Sequence, residues 1–386
     1  MKILRITSHF HSYYPAFQYK NHLDILRKYH AIGGMQSQIY ILTKTLAELG
    51  VKQEVITIKP PWTKRIENIN SVRINRFGLP IPIRRQLYEI PALIQAVQRA
   101  PEDFDLVHCH SGEDIAVIPI GLAAAKRAGI PLVLTIHNSW IFTYRATKNT
   151  QRIRQTLGKE IEILGLRHAN VVCTLTKRTA KLFSEKAKVD PQKIFVIPDM
   201  VDLTRFRSRK SFDEIKIFAK YYCIPKSHNY IVFHGRLVPQ KGILYLLRAA
   251  ALLREQGEEF VVIICGDGPE RQRLEKETKR LKLSKIVLFT RFIHHDDVPI
   301  LLSIANIFIL PSIFEEFGST LLEAMTMKLP IVASRIGGIP EIIKHKKKMV
   351  CLFLQWMLKV WRILYRFFCM TQVWRINSEN TLIEMS

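Results

Sequence analysis

Two carboxylates flank a glycine turn in the segment Glu315–Glu323, which follows the apolar run Ile307–Leu310. We expect a strand, a turn and a helix here, with Glu323 in the first helical turn. The free N–H groups and the dipole at a helix N-terminus bind phosphate, and a nearby carboxylate can accept hydrogen bonds from hydroxyls. The segment therefore suits a ligand that carries a pyrophosphate and sugars. The alternative is a capping box formed by Thr320 and Glu323.

A second group of candidate residues follows the strand-like run 230–233. Arg236 and Lys241 lie in the glycine-flanked loop 234–242, and a fork-shaped guanidinium with an ammonium can neutralise a pyrophosphate. Each of them alone is as readily explained as surface charge. The turn Gly266–Gly268 also follows a strand-like run, but a single Gly-x-Gly turn is weak support for nucleotide binding.

Composition narrows the class of protein. The chain has 386 residues, of which 48% are hydrophobic and 24% charged, so we expect a globular protein with two domains. No signal peptide or membrane-spanning run is predicted, and six scattered cysteines indicate neither disulfides nor a zinc site. A net charge of +25 favours an anionic membrane surface, because the basic clusters follow no nucleic-acid-binding pattern.

Short β-branched runs alternate with helical patterns along the whole chain, which is typical of parallel sheets covered by helices. We predict a helix over Met35–Leu49, with an apolar stripe that includes Leu49, a second helix over Ala116–Ala128 and a basic linker near 198–227. Two doubly wound α/β domains joined in this way bind ligands at the carboxyl ends of their strands, in a cleft between them. The predicted strands are 3–7, 51–58, 106–110, 132–136, 171–174, 194–197, 230–233, 260–264, 286–289, 307–310 and 331–333.

The motifs and their order resemble the retaining glycosyltransferases of family 4, which have the GT-B fold of two Rossmann-like domains. The resemblance spans residues 1 to 347. It implies an acceptor-side domain over 1–205, a linker over 206–228, an incomplete donor-nucleotide domain over 229–347 and an atypical tail over 348–386. The segments that carry it are 33–36, 105–110, 134–138, 197–206, 235–242, 266–270, 310–325 and 334–343.

The resemblance assigns roles in the second domain. Arg236 and Lys241 would bind the donor pyrophosphate, and Glu323 would accept hydrogen bonds from the ribose hydroxyls. Glu315 would lie beside the donor sugar. The main-chain amides that would meet the phosphates and the sugar edge belong to Gly318, Ser319 and Thr320.

The resemblance also assigns roles in the first domain. His137 would reach the donor sugar, and Gly33 and Gly34 would bring the backbone close to the phosphate. His110 is a weaker candidate, because a histidine that ends a buried strand is often only packed. From its aromatic and basic residues, the segment Ala16–Ile32 would form an acceptor-side lid or a membrane-contacting patch, with a packed surface helix as the alternative.

The implied reaction is transfer of a sugar from a UDP- or GDP-linked donor with retention of configuration, with no cofactor and no dedicated metal. Arg236 and Lys241 would replace the divalent cation, and the Asp103–Asp105 DxD sequence is interpreted as a polar lead-in to a strand. A glycosidase needs two carboxyls across one bond, which Glu323 suits poorly. A sugar-nucleotide epimerase shares the architecture and stays an alternative.

The tail from Lys348 to Ser386 has a different composition. It contains no Gly, Pro, Ala, Asp or His, and it holds three of the five tryptophans. Shifting the frame by one base allows Asn-Gly-Leu-Phe-Val-Pro-Pro-Met-Asp over the stretch around Met349 to Met357, which is family-like. We therefore hypothesise a frameshifted C-terminus that lowers solubility and turnover. The rival interpretation is a basic amphipathic membrane helix.

Together these patterns predict a cytoplasmic glycosyltransferase, peripheral at the inner membrane face, that acts on a glycan or lipid-linked acceptor in polysaccharide and cell-envelope biosynthesis. Its expected partners are a nucleotide sugar, the acceptor and an anionic membrane surface, and no nucleic acid. The competing class is an inactive remnant or a basic membrane-associated binding protein of the same fold.

Overall fold

The structure is a computed structural model. It forms two compact units, Met1–Asp202 and Leu203–Ser386. The residues it describes are 1–8, 10, 34–59, 63–69, 71–78, 89–100, 103–112, 114, 116–139, 141, 149–207, 210–343 and 349–352. Gly33, the segment Ala16–Ile32 and most of the tail lie outside these residues, so the predictions made for them stay predictions.

The first unit is built on one sheet in the order β3-β4-β2-β1-β5-β6-β7-β8. All its neighbouring strands are parallel except β3 and β4, which are antiparallel. The chain leaves β1 in one direction and continues on its other side with β5, so a topological switch point lies between them. The strands are β1 (Lys2–Thr7), β2 (Lys52–Ile58), β3 (Ile66–Ile69), β4 (Val72–Phe77), β5 (Leu106–Ser111), β6 (Leu132–Ile136), β7 (Val171–Thr174) and β8 (Ile194–Val196).

Helices pack on this sheet through apolar faces. Residues such as Leu4, Val107 and Leu134 are fully buried between sheet and helices, as expected for parallel strands covered on both faces. The described helices of this unit are α1 (Gly34–Glu48), α2 (Glu89–Arg99), α3 (Val117–Ala128), α4 (Asn149–His168) and α5 (Lys177–Ala187).

The buried face of α1 differs from the predicted one. The sequence predicted an apolar stripe that included Leu49, but Leu49 lies beyond the helix and is 73% exposed, while Gln38 and Thr43 are buried with Ile39. Gln38 faces inward because its amide donates to the Met200 carbonyl at 2.7 Å and accepts from the Met200 N–H at 2.7 Å. Tertiary hydrogen bonding therefore overrides hydrophobic periodicity in this helix.

The second unit is built on a sheet in the order β11-β10-β9-β12-β13-β14, and all its neighbouring strands are parallel. Here the switch point lies between β9 and β12. The strands are β9 (Tyr230–His234), β10 (Val261–Cys265), β11 (Val287–Arg291), β12 (Ile307–Leu310), β13 (Ile331–Ser334) and β14 (Met349–Leu352). The described helices are α6 (Leu203–Arg207), α7 (Phe212–Tyr221), α8 (Ile243–Glu255), α9 (Arg271–Arg280), α10 (Val298–Ser303), α11 (Ser319–Thr326) and α12 (Ile339–Ile342).

The predicted α/β class is confirmed, and every predicted strand is present with ends that agree with the observed ones or differ from them by at most two residues. The sequence reading omitted β3, β4 and β14. The segment predicted as a linker, residues 206–228, carries the helix α7, which begins at a capping box between Ser211 and Glu214. The strand β14 consists of the first residues of the atypical tail and pairs with β13.

Candidate active site

The turn that follows β12 in the second unit leads directly into a helix. Gly318 precedes the first residue of α11 and has a φ of +97°, a backbone conformation that favours glycine. The capping-box alternative is wrong, because the residue before the helix is Gly318 and not Thr320. Glu323 is the fifth residue of α11, so its predicted place in the first turn is also wrong by about half a turn.

Glu315 is held by two polar neighbours. Lys241 Nζ donates to Glu315 Oε2 at 2.6 Å, and Ser312 Oγ donates to the same oxygen at 3.0 Å. The Lys241 and Glu315 side chains are only 20% and 12% exposed. Lys241 comes from the loop after β9 and Glu315 from the loop after β12, so the two strands beside the switch point bring them together.

Gly337 fixes the backbone of Glu315 from the other side. Its φ is +57°, and a Cβ at this position would lie 1.6 Å from the Glu315 carbonyl oxygen. The next residue, Gly338, donates its N–H to that carbonyl at 3.3 Å. The loop after β13 therefore packs directly on the main chain of Glu315, and only glycine leaves room for it.

Glu323 faces His234, the last residue of β9. Glu323 Oε2 lies 3.3 Å from His234 Nδ1, and both side chains are mostly buried. Burial raises the pKa of Glu323, but the neighbouring His234, with the charges of His295 and Arg205, more than offsets it. The net effect is a pKa below the ordinary glutamate value, so Glu323 is a carboxylate at neutral pH and acts as a hydrogen-bond acceptor.

Thr320 Oγ1 is buried beside this turn and has no hydrogen-bond partner among the described residues. His234 Nδ1 and Glu323 Oε2 are buried too, and they face each other at 3.3 Å without a hydrogen bond of regular geometry. Buried polar atoms are nearly always hydrogen-bonded, so a cluster of such atoms indicates a place where a ligand supplies the partners. A hydroxyl, an imidazole and a carboxylate together match the hydroxyls and oxygens of a sugar.

Arg236 lies on the exposed surface of the loop that follows β9. The adjacent Gly266–Gly268 turn supports this loop: the Leu237 N–H donates to the Asp267 carbonyl at 2.9 Å. A Cβ on Gly266 would lie 1.9 Å from the Gly235 carbonyl oxygen. The Gly-x-Gly turn is therefore explained by close packing of two loops, which agrees with its weak standing as a nucleotide motif.

In the first unit, His137 belongs to a buried cluster at the carboxyl ends of β1, β5 and β6. His110 Nδ1 lies 3.1 Å from His137 Nε2, and the two rings stack with centroids 5.4 Å apart. His110 Nε2 lies 2.5 Å from Arg5 Nη1. His110, the weaker candidate in the sequence, is thus the link between His137 and a buried arginine.

His137 is a neutral ring that faces a carboxylate. Burial, with the charge of Arg5, lowers its pKa to about 4. Its Nδ1 lies 3.8 Å from Asp199 Oδ1, and the two side chains are 9% and 6% exposed. The bidentate contact of Gln38 with the backbone of Met200 holds the residue next to Asp199 in place.

Gly34 is a second site candidate of the first unit that the structure describes. It is the exposed first residue of α1. Gly33 precedes it outside the described residues. A glycine at a helix start leaves the first N–H groups accessible to an anion. The predicted backbone approach to a phosphate at this helix stays a prediction.

The sequence reading missed four residues that the structure adds. His108 and Asp199 lie in segments that carry the resemblance, and His234 begins the loop 234–242, but none of the three has a predicted role. Arg5 is not among the predicted site residues either. The signal for Arg5 was available: it interrupts the apolar strand Lys2–Thr7, where both neighbours are buried core residues. A charged side chain inside a strand that is buried on both faces is costly, so its presence there indicates a functional role.

No helix in the described part of the chain is long and apolar enough to cross a membrane. Within the same residues, no group of three or more histidines, cysteines or carboxylates has a geometry that could hold a metal ion. The independence of the reaction from a metal stays a prediction.

Comparison with known proteins identifies the family. Residues 32–205 match the family described as Glycosyltransferase Family 4, and residues 215–353 match Glycosyl transferases group 1. The chain is 30% identical over 322 residues to 2-deoxystreptamine glucosyltransferase from Streptomyces kanamyceticus, covering 80% of this chain and 83% of that protein. The chain belongs to these glycosyltransferases.

Other relatives of this glycosyltransferase include 2-deoxystreptamine N-acetyl-D-glucosaminyltransferase from Streptomyces fradiae. It is 29% identical over 365 residues, with 89% of this chain and 82% of that protein covered. Sucrose-phosphate synthase from Thermosynechococcus elongatus has a similar fold, with a TM-score of 0.77 at 19% identity over 95% and 90% of the two chains. HepE from Anabaena, solved with UDP-glucose, has a TM-score of 0.67 at 20% identity over 96% and 91%. These similarities show the GT-B fold.

Proposed function

We propose that this glycosyltransferase moves a sugar from a UDP- or GDP-linked donor to an acceptor hydroxyl with retention of configuration. The observation that carries the proposal is a buried polar cluster beside the Lys241–Glu315 pair, formed by the unpartnered Thr320 hydroxyl and the facing His234 and Glu323 side chains. A nucleotide sugar has the hydroxyls and the diphosphate that such a group would bind.

Each side chain has a proposed task. Lys241 and Arg236 neutralise the diphosphate, one as a point charge and the other as a fork. The carboxylate of Glu323 accepts hydrogen bonds from the ribose hydroxyls, which its lowered pKa favours. The amides of Gly318, Ser319 and Thr320 meet the phosphates and the sugar edge, and Gly33 and Gly34 bring the backbone close to the phosphate.

The proposed chemical step needs no covalent intermediate with the protein. The bond between the anomeric carbon and the diphosphate breaks, and its electron pair goes to the phosphate oxygen. The acceptor oxygen bonds to the same face of the sugar, and its proton passes to the departing phosphate. The protein contributes positioning and charge stabilisation, with Glu315 and His137 beside the transferred sugar.

Lys241 and Arg236 would supply the positive charge that a divalent cation supplies in other transferases, so we propose that no dedicated metal is required. A glycosidase mechanism fits this site poorly. Glu315 is held by a lysine and Glu323 by a histidine, and neither is arranged as an acid facing a nucleophile across one bond.

We propose a glycan or a lipid-linked saccharide as acceptor, in polysaccharide or cell-envelope biosynthesis. We also propose a cytoplasmic protein that is peripheral at the membrane, and the net charge of +25 supports its attraction to an anionic membrane face. The relatives named for 2-deoxystreptamine make that aminocyclitol a specific acceptor to include in a screen. Flotation with liposomes that contain anionic lipid, at low and high salt, tests the membrane part separately.

We also propose that residues 348–386 are read out of frame. The match to the second family stops at residue 353, a few residues after the composition changes. The coding DNA tests this proposal, which requires that a second reading frame be free of stop codons through the tail. If so, restoring that frame is expected to increase solubility and turnover.

The test of the function is a transfer assay with UDP- and GDP-sugars and a panel of acceptors, followed by NMR of the product. The expected result is a product with the anomeric configuration of the donor. Assaying the unmodified chain beside its frame-restored form distinguishes two explanations of low activity: a non-functional tail and an incorrect functional assignment. Inverted product, or no donor binding by either folded form, would overturn the proposal.

A further inference from the structure

Arg5 is a fully buried arginine, and none of its hydrogen-bond partners among the described residues carries a negative charge. It is 0% exposed, and its hydrogen-bond partners in the described part of the chain are one amide and two imidazoles. Arg5 Nη2 donates to Gln53 Oε1 at 2.8 Å, and Gln53 is oriented by its own bond to the Thr43 carbonyl. A buried guanidinium without a carboxylate costs stability, so its retention indicates a task.

The second nitrogen of the guanidinium fixes two rings at once. Arg5 Nη1 lies 3.3 Å from His108 Nδ1 and 2.5 Å from His110 Nε2. A guanidinium can donate hydrogen bonds but has no acceptor. Both imidazole nitrogens must therefore be unprotonated, and the two Nη1 hydrogens are fully used.

A neutral imidazole carries a single N–H, so the proton positions on both rings follow. On His108 the proton lies on Nε2, which is 2.9 Å from Thr135 Oγ1 and can donate to it. On His110 the proton lies on Nδ1 and points at His137 Nε2, 3.1 Å away. His137 Nε2 must then accept, and its own proton lies on Nδ1.

All three rings are neutral at physiological pH. Burial comes first among the causes that lower their pKa values, and the positive charge of Arg5 acts in the same direction on each. The rings also lie in series: His108 and His110 are tilted against each other with centroids 4.2 Å apart, and His110 and His137 are stacked. The chain of donors and acceptors from Arg5 to His137 is therefore continuous and runs in one direction.

His137 Nδ1 is the end of this chain. It is buried and has no hydrogen-bond partner among the described residues, although Asp199 Oδ1 lies 3.8 Å away. A protonated Nδ1 agrees with the nearby carboxylate. It also leaves one N–H donor for a ligand oxygen.

We propose that Arg5 is a positioning residue that sets the tautomers of His108, His110 and His137, and so makes His137 a hydrogen-bond donor at Nδ1. His137 then cannot act as a general base at that atom. It would donate to an oxygen of the transferred sugar, a consequence that rests on the function proposed above. The tautomers themselves do not depend on that function.

The decisive experiment is NMR of the full chain with ¹⁵N-labelled histidine at neutral pH and without ligand. Correlations between the carbon-bound ring hydrogens and the two ring nitrogens show which nitrogen carries the proton. The His110→Asn and His137→Gln variants assign the signals. We expect N–H at Nδ1 for His110 and His137 and at Nε2 for His108. Any other protonation of His137 in the unmodified protein overturns the proposal.

Variants of Arg5 separate tautomer control from packing. Arg5→Met removes every donor, so we expect His110 and His137 to lose their single tautomer. Arg5→Lys keeps an ammonium that can donate to both rings and should restore it. Arg73→Met, an exposed arginine on β4, is the matched control. Unchanged tautomers in folded Arg5→Met contradict the proposal.

If Arg5→Met does not fold, His110→Phe answers the same question. It breaks the chain between Arg5 and His137 while His108 keeps its contact with Arg5. His137 should then lose its single tautomer and His108 should not. A fixed His137 tautomer in this variant would overturn the proposal.

Kinetics give a readout that packing alone would not move. With Arg5→Met we expect kcat/KM for the nucleotide sugar to fall roughly ten-fold, about 1.4 kcal/mol, with affinity for the free nucleotide unchanged. Arg5→Lys should recover most of the loss. If the tautomers behave as expected and this kinetic effect is absent, the sugar-binding role of His137 is wrong and the tautomer assignment stands.

Discussion

Lys241 Nζ donates to Glu315 Oε2 at 2.6 Å across 74 residues of sequence, within the second unit. The two loops that carry them follow the strands on either side of the switch point. The contact orients the ammonium, whose remaining two hydrogens can meet a diphosphate. Glu315, shared between Lys241 and Ser312, keeps its second oxygen for another donor.

Replacing Lys241 by alanine should leave the mostly buried Glu315 without its cation. We expect the free energy of unfolding to fall by about 1–3 kcal/mol, because an uncompensated buried polar group remains. Chemical denaturation of Lys241→Ala beside Lys279→Ala, an exposed lysine on α9, measures the difference. Equal stabilities of the two variants would show that the pair contributes nothing.

Gly337→Ala should displace Glu315, because the new Cβ would lie 1.6 Å from its carbonyl oxygen. Gly257→Ala is a matched control with a φ of +82° and no atom within 4 Å of the added Cβ. Both substitutions strain a left-handed backbone, at a cost of about 1 kcal/mol. We expect Gly337→Ala to lose at least another ~1 kcal/mol in denaturation and most of the transferase activity. Similar losses from both would mean that the loop accommodates the methyl group.

Acid should destabilise the first unit through His137. Its pKa is about 4 in the folded protein against 6.5 as the ordinary value, so the unfolded chain binds more protons between these limits. The free energy of unfolding therefore falls as pH is lowered through this window, by on the order of 3 kcal/mol for His137 alone. Denaturation at pH 7 and pH 4.5 should show a smaller difference for His137→Gln than for the exposed-site control His168→Gln. The same pH dependence in both would contradict the assignment.

Chelation of divalent metals should leave transfer unchanged within about two-fold, since Lys241 and Arg236 neutralise the diphosphate in the proposed mechanism. The measurement is the transfer rate with EDTA and after adding back Mg²⁺ or Mn²⁺. A large loss with EDTA that either metal reverses would show that the cationic side chains are insufficient.

The regularly repeated elements of the fold can be predicted from the sequence. Parallel strands buried on both faces are short apolar runs, so β12 (Ile307–Leu310) was recognised with its observed ends. The strand β3 (Ile66–Ile69) alternates exposed and half-buried residues at the sheet edge, and its polar composition gave no such run. The strand β14 is not among the predicted strands, because it lies in the segment after Lys348 whose composition departs from the rest of the chain.

The candidate site was predicted in part, for a physical reason. Glycine turns and charged residues that follow strands can be recognised from the local sequence. On this basis Lys241, Glu315 and Glu323 are predicted as site residues. Partners that come from distant segments cannot: His234 meets Glu323, and Asp199 is held near His137 by contacts of Gln38. The capping-box alternative failed because a left-handed Gly318 ends the turn, which only the backbone angles reveal.

The most direct test of the donor site is calorimetric titration of the protein with UDP and GDP. We expect binding of one of the two nucleotides. For both Lys241→Ala and Glu323→Ala we expect at least a ten-fold weaker affinity, a loss of about 1.4 kcal/mol each. Lys279→Ala and Glu255→Ala, both at exposed positions, should bind like the unmodified protein. A folded protein that binds neither nucleotide, or binds one equally well in all four variants, would contradict the proposed donor site.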